Sequence, residues 1–190
     1  MGNLILLTGG TRSGKSVYAE RLLADSAHVL YIATARCLDE EMAERVRRHR
    51  AARPAHWITI EASGGLDRVL MAHPKGDVLL DCVGNMVTNL MLDEEPDFDH
   101  LSHKRIEEIE ALIGREFSFL LDALRARPGT AVLVTNEVGG GLVSPYRMGR
   151  VFVDYMGRLN QRLAAAADQV YLLTCGLPFP LKSIGKDCTL

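Results

Sequence analysis

Residues 4–16, LILLTGGTRSGKS, decide the fold. The apolar run Leu4–Leu7 reads as a short buried strand. Behind it Gly9, Gly10, Thr11, Arg12, Ser13, Gly14, Lys15 and Ser16 fill every position of the pattern G-x-x-x-x-G-K-[ST]. Glycine allows the tight turn and close backbone approach that aim several N–H groups at one anion, and the helix that follows adds its own free N–H groups. Phosphate is the ligand such a loop suits. Lys15 is expected to reach the β/γ-phosphates of a nucleotide, and Ser16 to ligate Mg²⁺ through its hydroxyl. The rival, a Gly-rich turn beside a surface lysine, does not need all the constrained positions filled at once.

Working outward, 190 residues with 47% apolar composition predict one globular domain, 1–190. No apolar run reaches the roughly 18 residues of a membrane span, and the short apolar start lacks the basic flank and cleavage site of a secretion signal, so the expected location is cytoplasmic. A formal net charge of −2 disfavours nucleic acid as a partner. Cys37, Cys82, Cys175 and Cys188 have neither zinc-knuckle spacing nor disulfide-scaffold density and are read as buried or inert thiols. His100 and His103 sit at a helix boundary beside Ser102 rather than in a complete metal site.

Strands are expected over Leu4–Thr8, Val29–Thr34, Trp57–Ile60, Val78–Cys82, Thr130–Thr135 and Val170–Thr174. Helices are expected over Lys15–Ala24, Asp39–Arg50, Leu66–His73, Asn85–Leu92, Ser102–Arg127 and Arg147–Ala167, the fifth with a bend or break near Gly114. Strands alternating with helices imply crossover units and a mainly parallel sheet. In the last helix Tyr155 and Met156 belong to the apolar period, which assigns them to the core or a subunit interface. The acidic connection Asp93–Asp99 reads as solvent-facing and Gly176–Leu190, with Pro178 and Pro180, as a loosely structured ending.

Three polar positions keep two readings each. His49 follows Met42 and Val46 at helical spacing, among Arg45, Arg47, Arg48, Arg50 and Arg53. It is either a half-buried surface histidine or a neutral imidazole placed to attack phosphorus. Asp81, near the end of a continuous strand, suits a Mg²⁺-bound water, or else caps a helix or makes a buried hydrogen bond. Glu61 at a strand exit faces a ligand or caps the turn Ser63–Gly65. The stretch 133–141, ending in Gly139–Gly141, either follows nucleotide state or merely connects.

An ordered set of segments carries a more specific signal: GGTRSGKS at 9–16, LYIATA at 30–35, RRHRAARPAHW at 47–57, LLDC at 79–82, MVTNL at 86–90, LVTNEVG at 133–139 and GRLNQRLAAAAD at 157–168. Through nearly its whole length the chain resembles the bifunctional adenosylcobinamide kinase/adenosylcobinamide-phosphate guanylyltransferase family. That resemblance implies an α/β fold, a single P-loop NTPase domain of RecA-like type with a mostly parallel central sheet flanked by helices. It implies phosphorylation of adenosylcobinamide, then transfer of GMP from GTP to adenosylcobinamide phosphate through a guanylylated histidine, late in cobalamin synthesis. His49 matches that histidine. The family's nucleotide contacts fall on Gly9–Ser16, on Thr34, Ala35 and Arg36, on Ala51, Ala52, Arg53 and Pro54, and on Glu61 and Asp81. Lys15 and His49 are then the catalytic pair, Ser16 and Asp81 the Mg²⁺ residues, GTP the nucleotide with ATP possible for the kinase step, and a homotrimer the assembly. Two rivals stand beside this expectation: a small-molecule kinase without guanylyl transfer, and a nucleotide-dependent regulatory module.

Overall fold

The computed structural model describes residues 2–36 and 54–182. The expected helix 39–50, with His49 and its arginines, lies outside the described residues, as do Ala51, Ala52 and Arg53. The strands are β1 (Asn3–Thr8), β2 (Val29–Ala33), β3 (Ile58–Glu61), β4 (Asp77–Asp81), β5 (Thr130–Val134), β6 (Gln169–Thr174) and β7 (Leu177–Lys182). Between them run α1 (Lys15–Leu22), α2 (Leu66–Ala72), α3 (Val83–Glu94), α4 (His103–Ala126) and α5 (Arg147–Ala166).

The seven strands among the described residues form one sheet in the order β3-β2-β4-β5-β1-β6-β7. Every pairing is parallel except β6 with β7. Alternation along each strand divides the core between two faces. Leu4 and Leu6 of β1 and Val78 and Leu80 of β4 pack on one side with residues of α2 to α5, including Leu66, Met86, Phe117 and Met156. Ile5, Leu7, Tyr31 and Leu79 pack on the other, with Ala19 of α1, Leu23 and Trp57. Continuous apolar strands are what burial on both faces requires.

The structure departs from the expectations in four places. First, the ending is not loose, because residues 177–182 pair antiparallel with β6. The turn between them is Cys175-Gly176, with φ of 53° and 79°. A two-residue hairpin turn with positive φ at both positions usually announces itself as Asn-Gly or Asp-Gly, and Cys-Gly does not. Pro178 and Pro180, two residues apart, share one side of an edge strand, where a missing N–H costs no ladder bond. Second, α4 is continuous over 24 residues through Gly114. Third, Phe98 in the acidic connection is buried in the core. Fourth, the first helix, whose inward face the apolar spacing assigns to Tyr18, Leu22 and Leu23, buries Ala19 and Leu23 and leaves Leu22 exposed.

Candidate active site

The parallel strands all end on one edge of the sheet, and β1 delivers the phosphate loop there. Gly9 has φ +150°, and a Cβ on it would lie 2.4 Å from the Leu173 carbonyl oxygen of β6. Gly14, at φ +95°, meets the hairpin turn: its Cβ would stand 3.0 Å from the Gly176 Cα. No L side chain fits either position without moving backbone. Three backbone bonds brace the loop: Ser13 N–H to Gly10 O at 3.3 Å, Gly176 N–H to Ser13 O at 3.0 Å and Glu137 N–H to Gly9 O at 3.0 Å. Lys15 opens α1 and is buried, its Nζ donating to the carbonyls of Gly9 at 2.8 Å and Gly10 at 2.7 Å. The ammonium is thus held over the loop, and a phosphate oxygen can exchange with either carbonyl as its acceptor.

Asp81 ends β4, two strands away from β1 with β5 between them. At one strand spacing per step that is roughly 10 Å laterally. Asp81 follows Leu79 on the α1 side of the sheet, which also carries Tyr31. The Tyr31 hydroxyl donates to Asp81 Oδ2 at 2.9 Å. The Asp81–Cys82 peptide bond is cis. Cys82 then caps α3, its Sγ accepting the Asn85 N–H at 3.5 Å. Burial, and secondarily the neighbouring Asp81 charge, push the Cys82 thiol up to about 11, while Lys15 pulls weakly the other way. Lys15 follows the loop that leaves β1 and Asp81 ends β4, both at the same edge of the parallel sheet with β5 between them.

Thr34 ties β2 to this same turn. Its Oγ1 donates to Cys82 O at 2.6 Å and accepts from Cys82 N–H at 2.7 Å. Its own N–H donates to Asp81 O at 3.1 Å, and its carbonyl accepts from Asn89 Nδ2 at 2.7 Å. Arg36, two residues on, makes a bidentate pair with Asp93, both N···O distances 2.6 Å, and donates to Ser63 Oγ at 3.2 Å. The hydrogen bonds from Arg36 hold the Asp93 carboxyl below the usual carboxylate range. Ala35 lies between these two anchors. Glu61 ends β3, paired with Ala33 in register, four strands from β1 or roughly 19 Å across the sheet. Pro54 accepts the Trp57 N–H at 3.1 Å.

The described residues therefore bring together the loop 9–16, Asp81 and Thr34, with Arg36 and Glu61 toward the β3 side. Among them, no cluster of three or more His, Cys, Asp or Glu could hold a metal ion. Mg²⁺ at a phosphate loop does not need one, because it takes hard oxygen ligands largely from phosphate and water. A serine hydroxyl at the start of α1 and one carboxylate at the end of β4 fit that donor set. Sequence reasoning passed over the supports behind the loop. Thr135, fully buried after β5, donates to Asn160 Oδ1 at 2.7 Å, and Asn160 Nδ2 donates to Asn136 O at 3.0 Å. The only hint was an Asn beside the apolar period of α5.

The chain is 47% identical over 181 residues to the bifunctional adenosylcobalamin biosynthesis protein CobU of Escherichia coli, covering 94% of this chain and 99% of that one. It is 46% identical to CobU of Salmonella typhimurium, with the same coverage, and 41% identical to CobP of Pseudomonas aeruginosa, covering 93% of this chain and 96% of that protein. Among solved structures it is similar to a prototypical ATPase from the type III secretion system of pathogenic bacteria, at 14% identity and a TM-score of 0.51. That match covers 92% of this chain, which spans about half of the ATPase, 51%, and concerns the fold alone, a RecA-like phosphate-loop domain. The family profile described as cobinamide kinase / cobinamide phosphate guanyltransferase matches residues 5–181, and the chain belongs to that family.

Proposed function

We propose that this chain phosphorylates adenosylcobinamide and then converts adenosylcobinamide phosphate to adenosylcobinamide-GDP, using GTP in the second step and GTP or ATP in the first. The observation that carries the reading is the family match over residues 5–181 on a chain whose phosphate loop and Asp81 lie at the same edge of the sheet.

In the kinase step the aminopropanol hydroxyl attacks the γ-phosphorus, a new P–O bond forms as the bond to the leaving nucleoside diphosphate breaks, and the hydroxyl proton leaves with solvent or a base. Lys15 and the N–H groups of 10–16 receive the charge that develops on the leaving oxygens. Ser16 and Asp81 would hold Mg²⁺, which would neutralise charge on the phosphate oxygens. In the guanylyl step the His49 imidazole attacks the α-phosphorus of GTP and pyrophosphate departs. The cobinamide phosphate oxygen next attacks the histidine-linked GMP, regenerating His49. Arg36, Ala51, Ala52, Arg53, Pro54 and Glu61 belong in this reading to nucleotide contact away from the loop, supported by their place on the β3 side or by the family pattern. Exposed Leu142, Val143, Tyr146, Leu177 and Phe179 offer apolar surface for a homotrimer. No helix among the described residues is long and apolar enough to cross a membrane, and the location proposed is the cytoplasm.

Incubation with GTP, Mg²⁺ and adenosylcobinamide tests the reading. Phosphate product followed by the GDP-linked product is expected, with acid-labile GMP on His49 by peptide mapping when the corrinoid is withheld. Product that stops at the phosphate, or guanylyl transfer undiminished in a folded His49→Ala protein, would overturn the two-step mechanism.

A further inference from the structure

Asp81 is steadied by groups that have little freedom to do anything else. Tyr31, 2% exposed, places its hydroxyl on Asp81 Oδ2. Thr34, 1% exposed, spends both of its donors on this turn: the N–H on Asp81 O and the O–H on Cys82 O. A phosphate oxygen needs a donor, and Thr34 has none left. Asn89 of α3, also buried, donates back to the Thr34 carbonyl, so the strand ends of β2 and β4 and the first turns of α3 form one hydrogen-bonded unit. We propose that Tyr31, Thr34 and Asn89 are positioning residues, which hold the Asp81 carboxylate on the α1 face for the Mg²⁺–nucleotide complex and do not themselves contact nucleotide. This reassigns Thr34, whose place in the family pattern suggested a nucleotide contact. It rests on the proposal that Asp81 serves the metal.

The physical case is one of orientation. A carboxylate at a strand end has free χ rotation unless something fixes it, and outer-sphere metal binding depends on where its oxygens point. The Tyr31 bond selects one rotamer, because its donor rises from the next strand on the same face. The Thr34 hydroxyl, bridging the N–H and C=O of Cys82, fixes the backbone from which that rotamer departs. Removing either leaves the charge of Asp81 in place and loosens its direction.

Binding of GDP, with Mg²⁺ and with chelator, separates the possibilities without any turnover. Mg²⁺ should tighten GDP binding to the native protein, and Asp81→Asn should lose most of that gain. Tyr31→Phe and Thr34→Val should each lose about three- to tenfold of it, with metal-free GDP affinity held within about twofold, and Thr34→Ser should behave as the native protein. Circular dichroism and thermal melting check folding, and if Thr34→Val does not fold, Tyr31→Phe, which keeps the buried ring, decides. Full metal-linked tightening in Tyr31→Phe beside its loss in Asp81→Asn would overturn the positioning role and leave the metal role standing. Weaker metal-free binding in folded Thr34→Val with full Mg²⁺ tightening would make Thr34 a ligand contact and overturn the reassignment. Unchanged tightening in Asp81→Asn would remove both readings.

Discussion

Gly176 donates its N–H to the Ser13 carbonyl at 3.0 Å, so the turn of the C-terminal hairpin forms one wall of the phosphate loop. β6 and β7 therefore act on the first functional element of the chain, across more than 160 residues of sequence. Two glycines make the dependence measurable. Gly176 has φ +79°, and an alanine there is strained by about 1–2 kcal/mol although its methyl has room. Gly157 sits exposed inside α5 with open space and ordinary backbone, where alanine gains about 0.5–1 kcal/mol. Gly176→Ala should lower Tm by roughly 2–8 °C and Gly157→Ala should raise it by a few degrees. Thermal melts of the two variants check the opposite signs.

Lys15→Ala removes a buried cation from the loop and frees the carbonyls of Gly9 and Gly10. Both reactions should slow by roughly 100- to 1,000-fold, because the lost group stabilises charge that develops on the leaving phosphate oxygens. Initial rates of phosphate and GDP-linked product, measured on protein with native circular dichroism, test this. Rates near native in either reaction would detach Lys15 from that step.

Asp168 joins β1 to α4 and β6. Its Oδ2 accepts the Leu4 N–H at 2.7 Å and Arg125 at 2.9 Å. Burial alone would raise its pKa, but the Leu4 N–H and the Arg125 guanidinium outweigh it and hold the carboxyl below its usual range. A lowered folded pKa means that this stabilisation is complete above the unfolded value, about 3.9, and is lost as pH falls through the folded one. Asp168→Asn should therefore be less stable than the native protein at about pH 6, and the gap should narrow toward about pH 3. Denaturant midpoints at the two pH values check it; a constant gap would assign the effect to packing.

Cys82 should resist alkylation. Its thiol is buried and pushed up to about 11, which leaves about one molecule in a thousand as thiolate near pH 8. Cys175, in the hairpin turn, is exposed. Peptide mapping after brief iodoacetamide treatment should find Cys175 labelled and Cys82 protected until denaturant is added. Rapid labelling of Cys82 in the folded protein would contradict the clamp that Thr34 closes around it.

The sequence by itself determined the loop, the alternation of strands and helices and the apolar faces of the long helices, because each is a local pattern. Eight consecutive residues specify the phosphate loop, and continuous apolar runs specify strands buried on both sides. It also brought out Asp81, because an acid at the end of such a run is conspicuous. Tertiary structure alone decided which strand lies beside which, and with it the rest of the site. β5 enters between β1 and β4, setting the distance from the loop to Asp81, although its sequence place is far from both. Thr34, which the family pattern places among the nucleotide contacts, is bonded through its hydroxyl to Cys82, since the register Ala33↔Asp81 brings the two strand ends together. The C-terminal hairpin was invisible because prolines mask an edge strand and Cys-Gly makes an unadvertised turn. Strand order and register arise from contacts between residues scores of positions apart, so no window of local sequence contains them.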